Sequence, residues 1–456
     1  MSLALGSALA LAVAAPGGPV ATAGDAPDAT ASQSTGHAEL ATSGEIVWWG
    51  WTPGSPVNEE YIAAFNEDYP DIEVTWRQTS IADYNAAIRP ALATGSGLDV
   101  YQMSAGSANG GVAVFGGSAI DLAPAVEQAL GPDWQDLLSP TGVDALTLDG
   151  ELKALASGAV FSGILWINQD LFDEHGLEAP TDWDSWTSVC EAFESHDVTC
   201  FVQGAAQAGF NIDTIHAIAD NVEPGAFVAA TRGELPWTDD SIVEAFRLWK
   251  QLFDEGIMQP GAIGQMQYPD ANNAFMAQDA AMVMMGTWYA QNLVPNVMRG
   301  AMEAAGSTDE PFTMLPIDFP DIAGTGNTGS LFGDVDYGQG VSANSDNQGA
   351  ATTFAVWMGT SERGQQVIAD SLNLIPALKS VTPDWDNVEL VDPDVQAEPV
   401  RALVERSSAV TDSPRFATIN ADMNEALQDA LTKAADGTAT PEEATAELQE
   451  VQESVG

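Results

Sequence analysis

Apolar and polar positions alternate along this chain with two distinct periods, and the switching between them outlines the fold. Glu45-Ile46-Val47-Trp48-Trp49-Gly50-Trp51 is β-branched and aromatic and ends in Thr52-Pro53-Gly54-Ser55-Pro56, which reads as a strand and a turn. Ser55 is placed to cap a helix with Pro56 at its first position, whose apolar face is Val57, Tyr61, Ala64 and Phe65. Tyr69-Pro70-Asp71 stops that helix, and Ile72 to Trp76 follows as a second strand. Tyr84 to Thr94 is a second helix containing Pro90, and Leu98 to Met103 a third strand. Strands and helices alternating through short links predict a parallel sheet covered on both faces.

Downstream the α/β alternation continues. Gly163 to Asn168 is strand-like, Gln169 to His175 a short helix closed by Gly176, and Thr181 to Ser195 a helix carrying Trp183, Trp186, Val189 and Phe193. Thr199 to Gln203 and Ala280 to Met285 read as strands, Ser241 to Glu255 and Ala271 to Gln278 as helices, and Gly286-Thr287-Trp288 as a turn into another helix. Residues 318–340 are rich in Gly and Asp and are predicted to be loop. From Gln348 the chain reads as mostly helical, and Thr440-Pro441-Glu442-Glu443 is a capping box for the last helix.

Composition sets the environment. The chain has 456 residues, enough for two or three domains, with 45% apolar residues and 13 tryptophans, which is a folded composition. Acidic residues number 66 against 13 basic ones, a net charge of −53. Such a surface repels phosphate, so nucleic acid is excluded as a partner and anionic membranes are disfavoured. Leu3 to Ala15 is an apolar run broken by Gly6 and too short to span a bilayer. With Ala21-Thr22-Ala23 as a cleavage site, residues 1–23 are expected to be a signal peptide and 24–44 a disordered linker, making the protein extracytoplasmic, secreted or surface-associated. No cysteine follows the run, so no lipid-attachment site is expected. Cys190 and Cys200 are the only thiols, and in an oxidising compartment the pair favours a disulfide over a metal site. The four histidines form no metal-binding pattern, and neither metal nor cofactor is expected.

Chemistry is sparse by comparison. Gly324-Thr325-Gly326-Asn327-Thr328-Gly329 matches a dinucleotide fingerprint in letters, but no strand precedes it and no helix follows, so it is expected to be a loop. Nucleophile-elbow and phosphate-loop patterns are absent, and among 66 acids a chance carboxylate pair says nothing about catalysis, so no enzyme is expected. The aromatic residues say more. Trp48, Trp49 and Trp51 lie at the carboxyl end of the first strand, where open α/β sheets bind ligands, and Trp288 follows a strand through Gly-Thr. Flat rings there suit the apolar faces of sugars, with polar side chains meeting the hydroxyls. Because neighbours on a strand point to opposite faces, at least one of Trp48 and Trp49 is expected in the core, leaving Trp51 and Trp288 to face a cleft.

From residue 45 to the end, the chain resembles the extracellular solute-binding proteins of ABC sugar importers, the family of maltose-binding protein. The likeness rests on Trp48-Trp49-Gly50-Trp51, on Phe65 to Val74, on Ala93 to Val100 (with Leu98 for the usual proline) and on Trp166 to Phe172 (with Gln169 for the usual lysine). Ala179 to Trp183, Phe275 to Met282 and Gly286-Thr287-Trp288 complete it in the family's order. The resemblance implies a two-lobed periplasmic-binding-protein fold of type II with a hinge cleft. It implies an N-terminal lobe of 45–158 plus 332–380 and a C-terminal lobe of 159–331 plus 381–456. It implies a monomer that binds a carbohydrate and delivers it to ABC permease subunits; a secreted carbohydrate-active hydrolase, or a receptor for a polyol, osmolyte or peptide, is the alternative. The cleft positions it implies are Trp51, Ser104, Phe161, Gln207, Trp288, Gly333, Asp334 and Arg415. Ser104 and Phe161 stand where relatives often carry an acid. Asp99 is expected to be structural.

Overall fold

The computed structural model describes residues 40–455, apart from 55, 95–96, 107–109 and 411. The expected signal peptide, most of the linker and the Ser55 cap therefore lie outside the described residues; the first helix, Val57–Asp68, has Pro56 at its N-cap.

In chain order the strands are β1 (Ser43–Gly50), β2 (Asp71–Gln78), β3 (Val100–Met103), β4 (Thr147–Leu148), β5 (Glu151–Leu152) and β6 (Leu155–Ser162). They continue as β7 (Ile164–Asn168), β8 (Thr199–Val202), β9 (Ala280–Met284), β10 (Met314–Asp318), β11 (Phe332–Val341) and β12 (Ile375–Pro376). Six form one sheet in the order β12-β6-β11-β3-β1-β2, four form a second in the order β10-β7-β9-β8, and β4 and β5 pair as a small hairpin. β1 runs parallel to β2 and β3 as the strand-helix alternation predicts. The sheet is mixed, however, because β11 enters antiparallel to both β3 and β6.

β11 corrects the reading of 318–340 as loop: its ten residues form a central strand. Its glycines hid it, since glycine weakens the strand signal. They are there because the strand is crowded. A Cβ at Gly333 would lie 2.2 Å from the Val160 carbonyl oxygen, and one at Gly340 would lie 2.1 Å from the Met103 side chain. The Gly324–Gly329 segment, in contrast, is outside any helix or strand, as expected.

Chain passage between the sheets is abrupt. Only Gly163 separates β6 in the first sheet from β7 in the second, and it takes φ +99 beneath the Ser330 carbonyl, a conformation and a fit that a side chain would spoil. At the start of β11, Phe332 stacks at 3.7 Å on His216, which stacks at 4.6 Å on Phe227. Neither ring nitrogen of His216 has a hydrogen-bond partner, and burial lowers its pKa to about 3.

Helices cover both sheets. Asp182 caps the Trp183–Glu194 helix through Ser185 in a reciprocal capping box, and that helix buries Trp186, Val189 and Phe193. Cys190 on it is bonded to Cys200 on β8. Closing so short a loop contributes about 2–3 kcal/mol. The Thr440–Glu443 capping box forms as read: the Glu443 amide donates to Thr440 Oγ1 at 3.2 Å, and the Thr440 amide to Glu443 Oε2 at 2.9 Å. Asp99 is structural too, accepting from the Val47 amide at 2.8 Å and from Ser345. No helix among the described residues is long and apolar enough to cross a membrane, and no group of three or more His, Cys, Asp or Glu there could hold a metal.

Candidate functional site

Of the three tryptophans at the end of β1, two belong to the core. Trp48 is fully buried and donates to Gln339 Oε1 at 2.8 Å; Trp49 is buried and donates to the Gly97 carbonyl at 2.8 Å. Indole N–H groups that find interior acceptors let the whole ring leave water. Trp51, one residue beyond the strand, stays partly exposed. Its amide donates to Gln102 Oε1 at 2.9 Å, and its ring stands edge-on to Tyr84 at 4.9 Å and to Tyr337 at 6.1 Å.

Trp288 sits in the short helix Thr287–Leu293 that follows β9. The preceding turn is tied to the first sheet, because the Phe161 amide donates to Thr287 Oγ1 at 3.0 Å. The Trp288 ring lies directly on the Gly286 main chain, where a Cβ would come within 2.1 Å of it. Its Nε1 donates to the Tyr268 hydroxyl at 3.2 Å, Phe210 lies 6.1 Å away, and the Arg415 guanidinium covers the ring at 4.6 Å. Arg415 also lies 4.3 Å from the ring centre of Phe416. Cation–π contacts of this kind strengthen when desolvated, and Arg415 is 8% exposed.

The guanidinium is fixed by a two-pronged ion pair. Nε donates to Asp213 Oδ1 at 2.7 Å and Nη2 to Asp213 Oδ2 at 2.5 Å. Asp213 is buried in the Ala208–Val222 helix, which Gln207 precedes as N-cap residue. Gln207 makes no side-chain cap, and its Oε1 is buried without a partner. Gly333 and Asp334 seat the segment that carries Arg415: the Gly333 amide donates to the Ser413 carbonyl at 2.8 Å, and Asp334 Oδ2 accepts from the amides of Phe416 and Ala417. Asp334 Oδ1 is buried and unpaired. Two residues on, at an irregularity in the β11 register, Asp336 lies within electrostatic reach of Arg415, Tyr268, Tyr61 and Tyr337. Burial pushes its carboxyl up to about 6, with Arg415 opposing; Asp334 is raised for the same reason.

The structure thus gathers Trp288, Gly333, Asp334 and Arg415 into one cluster, with Phe161 behind the turn and Gln207 at the head of the helix that bears Asp213. Phe161 is buried and supports the turn through its main chain. Trp51 joins through Tyr337, the neighbour of Asp336. Ser104 stands further off, its carbonyl accepting from the Val112 amide; its loop meets the cluster through Gly106, whose position faces the Phe416 carbonyl. Sequence reading missed Phe210, Asp213, Tyr268 and Asp336. Asp213 carried a signal, as an acid in the otherwise largely apolar Phe210–Ala219 stretch; Asp336, two residues from Asp334, did not stand out from the other acids.

Two mixed sheets, each with its own helical cover, and an aromatic, acid-rich cluster beside β11 of the first sheet are the features the fold brings to the comparison with known proteins. The chain belongs to the family of bacterial extracellular solute-binding proteins, whose description matches residues 60–401. Its fold is shared with a protein of Caldanaerobius polysaccharolyticus solved in work on xylan utilization (20% identity, TM-score 0.70, 89% of this chain and 99% of that one). It is similar to an ABC substrate-binding protein from Listeria monocytogenes in complex with cycloalternan (20%, 0.67, 90% and 99%) and to a maltose-bound T. maritima protein (18%, 0.67, 90% and 100%).

Proposed function

We propose that the protein is the extracytoplasmic receptor of an ABC importer and binds a carbohydrate at the Trp288–Arg415 cluster, handing it to permease subunits without catalysing a reaction. The observation that carries this reading is the joining of ring faces (Trp288, Tyr268, Phe210 and, across Tyr337, Trp51) with acceptor-rich polar groups at one place. Sugars present that pairing of apolar C–H faces and hydroxyl rims. The ligands of its structural relatives, cycloalternan and maltose, are saccharides. On this reading the protein acts as a monomer, and the lobes are those the resemblance implies (45–158 plus 332–380 and 159–331 plus 381–456), with the first crossing moved from 158 to Gly163, where the chain changes sheets. A thermal-shift screen of mono- and oligosaccharides, polyols and peptides tests it: a saccharide should raise the melting temperature and be recovered uncleaved. Release of reducing sugar, or stabilisation by polyols or peptides alone, would overturn it.

A further inference from the structure

Asp336 differs from every other charged group in the cluster. Asp213 spends both oxygens on Arg415, and Asp334 spends one on backbone amides. No hydrogen-bond donor among the described residues reaches Asp336, and Arg415, already engaged, is the only cation that its electrostatic neighbours include. Three carboxylates share one guanidinium, which leaves an excess of two negative charges when all are ionised. Asp336 is half-buried and keeps some exposure. Independently, Asp334 is 4% exposed with Oδ1 unpaired, and Gln207 Oε1 nearby is buried and unpaired. The vacant polar atoms named here are acceptors. A buried acceptor without a donor is costly, and a buried carboxylate without a counter-charge more so.

Resting on the saccharide reading above, we infer that the site selects a sugar bearing a free amino group, with the ammonium meeting Asp336 while a ring face packs on the aromatic cluster. An ammonium supplies both what Asp336 lacks, a donor and a positive charge, and charge-assisted hydrogen bonds are the strong ones. Neutral sugars supply donors only. Uronates and sugar phosphates bring a second negative charge against Asp334 and Asp336, with Arg415 already committed to Asp213, and are rejected.

Calorimetry at pH 7 tests this with matched probes: glucose, glucosamine and glucuronate; galactose, galactosamine and galacturonate; and cellotriose beside the chitosan trisaccharide. In at least one series the amine should bind on the order of 10- to 100-fold tighter than its neutral counterpart, the yield of one charge-assisted hydrogen bond, and no uronate should bind. Asp336→Asn, which keeps the shape, should bring amine and neutral forms within about threefold of each other, the neutral form retaining its affinity to within about tenfold. Neutral sugar bound as tightly as the amine, or an amine preference that survives Asp336→Asn, overturns the inference while the saccharide reading stands. If no probe in any series binds, the saccharide reading itself fails, and this inference with it.

Discussion

Trp51 and Trp288 are the same residue type, each just past the end of a strand, yet the structure uses them differently. Trp51 is held by its main chain, with Gln102 on its amide and Gln78 on its carbonyl, and its ring stands edge-on to Tyr84 and Tyr337. Trp288 is held by its ring, which rests on Gly286, donates to Tyr268 and is covered by Arg415. The first is an extension of a core; the second is part of a charged cluster whose geometry depends on a salt bridge. An aromatic residue at a strand end therefore marks a place, and its neighbours decide whether the ring meets other rings or a buried charge.

The sharpest way to break the contrast is to remove the ion pair. Asp213→Ala removes both side-chain hydrogen bonds of the buried Arg415, leaving it only the charges of Asp334 and Asp336, and should cost about 3 kcal/mol of stability. Denaturant unfolding would read this, and a loss under 1 kcal/mol would show that the pair does not hold the cluster together. Next in size is the direct comparison of the two rings. Trp288→Ala should weaken saccharide binding on the order of 100-fold, because it removes apolar surface and with it the ring against which Arg415 and Tyr268 are set. Trp51→Ala, with a ring already occupied by Tyr84 and Tyr337, should cost about tenfold or less. Calorimetry beside apo melting temperatures separates these losses from unfolding; equal effects would erase the distinction.

A third effect, about 2 kcal/mol between pH 6.5 and 5, concerns His216, which stacks on Phe332 at the start of β11. Its folded pKa of about 3 lies below the unfolded value near 6.5, so the unfolded chain binds more protons between the two. The stability that depends on its neutral ring is complete above pH 6.5 and falls by about 1.4 kcal/mol per pH unit down to about pH 3. Stability measured from pH 7 to 5 should lose that slope in His216→Leu. Asp336 works in the opposite sense: its pKa is raised from 3.8 to about 6, so stability is lost as pH rises between those values and does not change further above about pH 6. An unchanged acid slope in the leucine variant would remove His216 from this account.

What the sequence determined by itself was local. Periodicity placed the strand-helix alternation of residues 45–103, capping chemistry placed the last helix at Thr440, and an isolated cysteine pair anticipated the bridge between Cys190 and Cys200. These features depend on neighbours a few residues away, so they are written in the order of the chain. The order of the family's motifs pointed to the solute-binding class, and Trp288, Asp334 and Arg415 to a common place. Tertiary structure decided the rest. β11 was illegible because its glycines answer to Val160 and Met103, which approach from other strands. Trp49 went to the core because Gly97 offers its indole an acceptor across 48 residues. Asp213 and Asp336 were two acids among 66 until folding bonded Arg415 to the first and brought it within electrostatic reach of the second. A carboxylate acquires its role from the charges and the dryness around it, and those exist only once distant segments have packed.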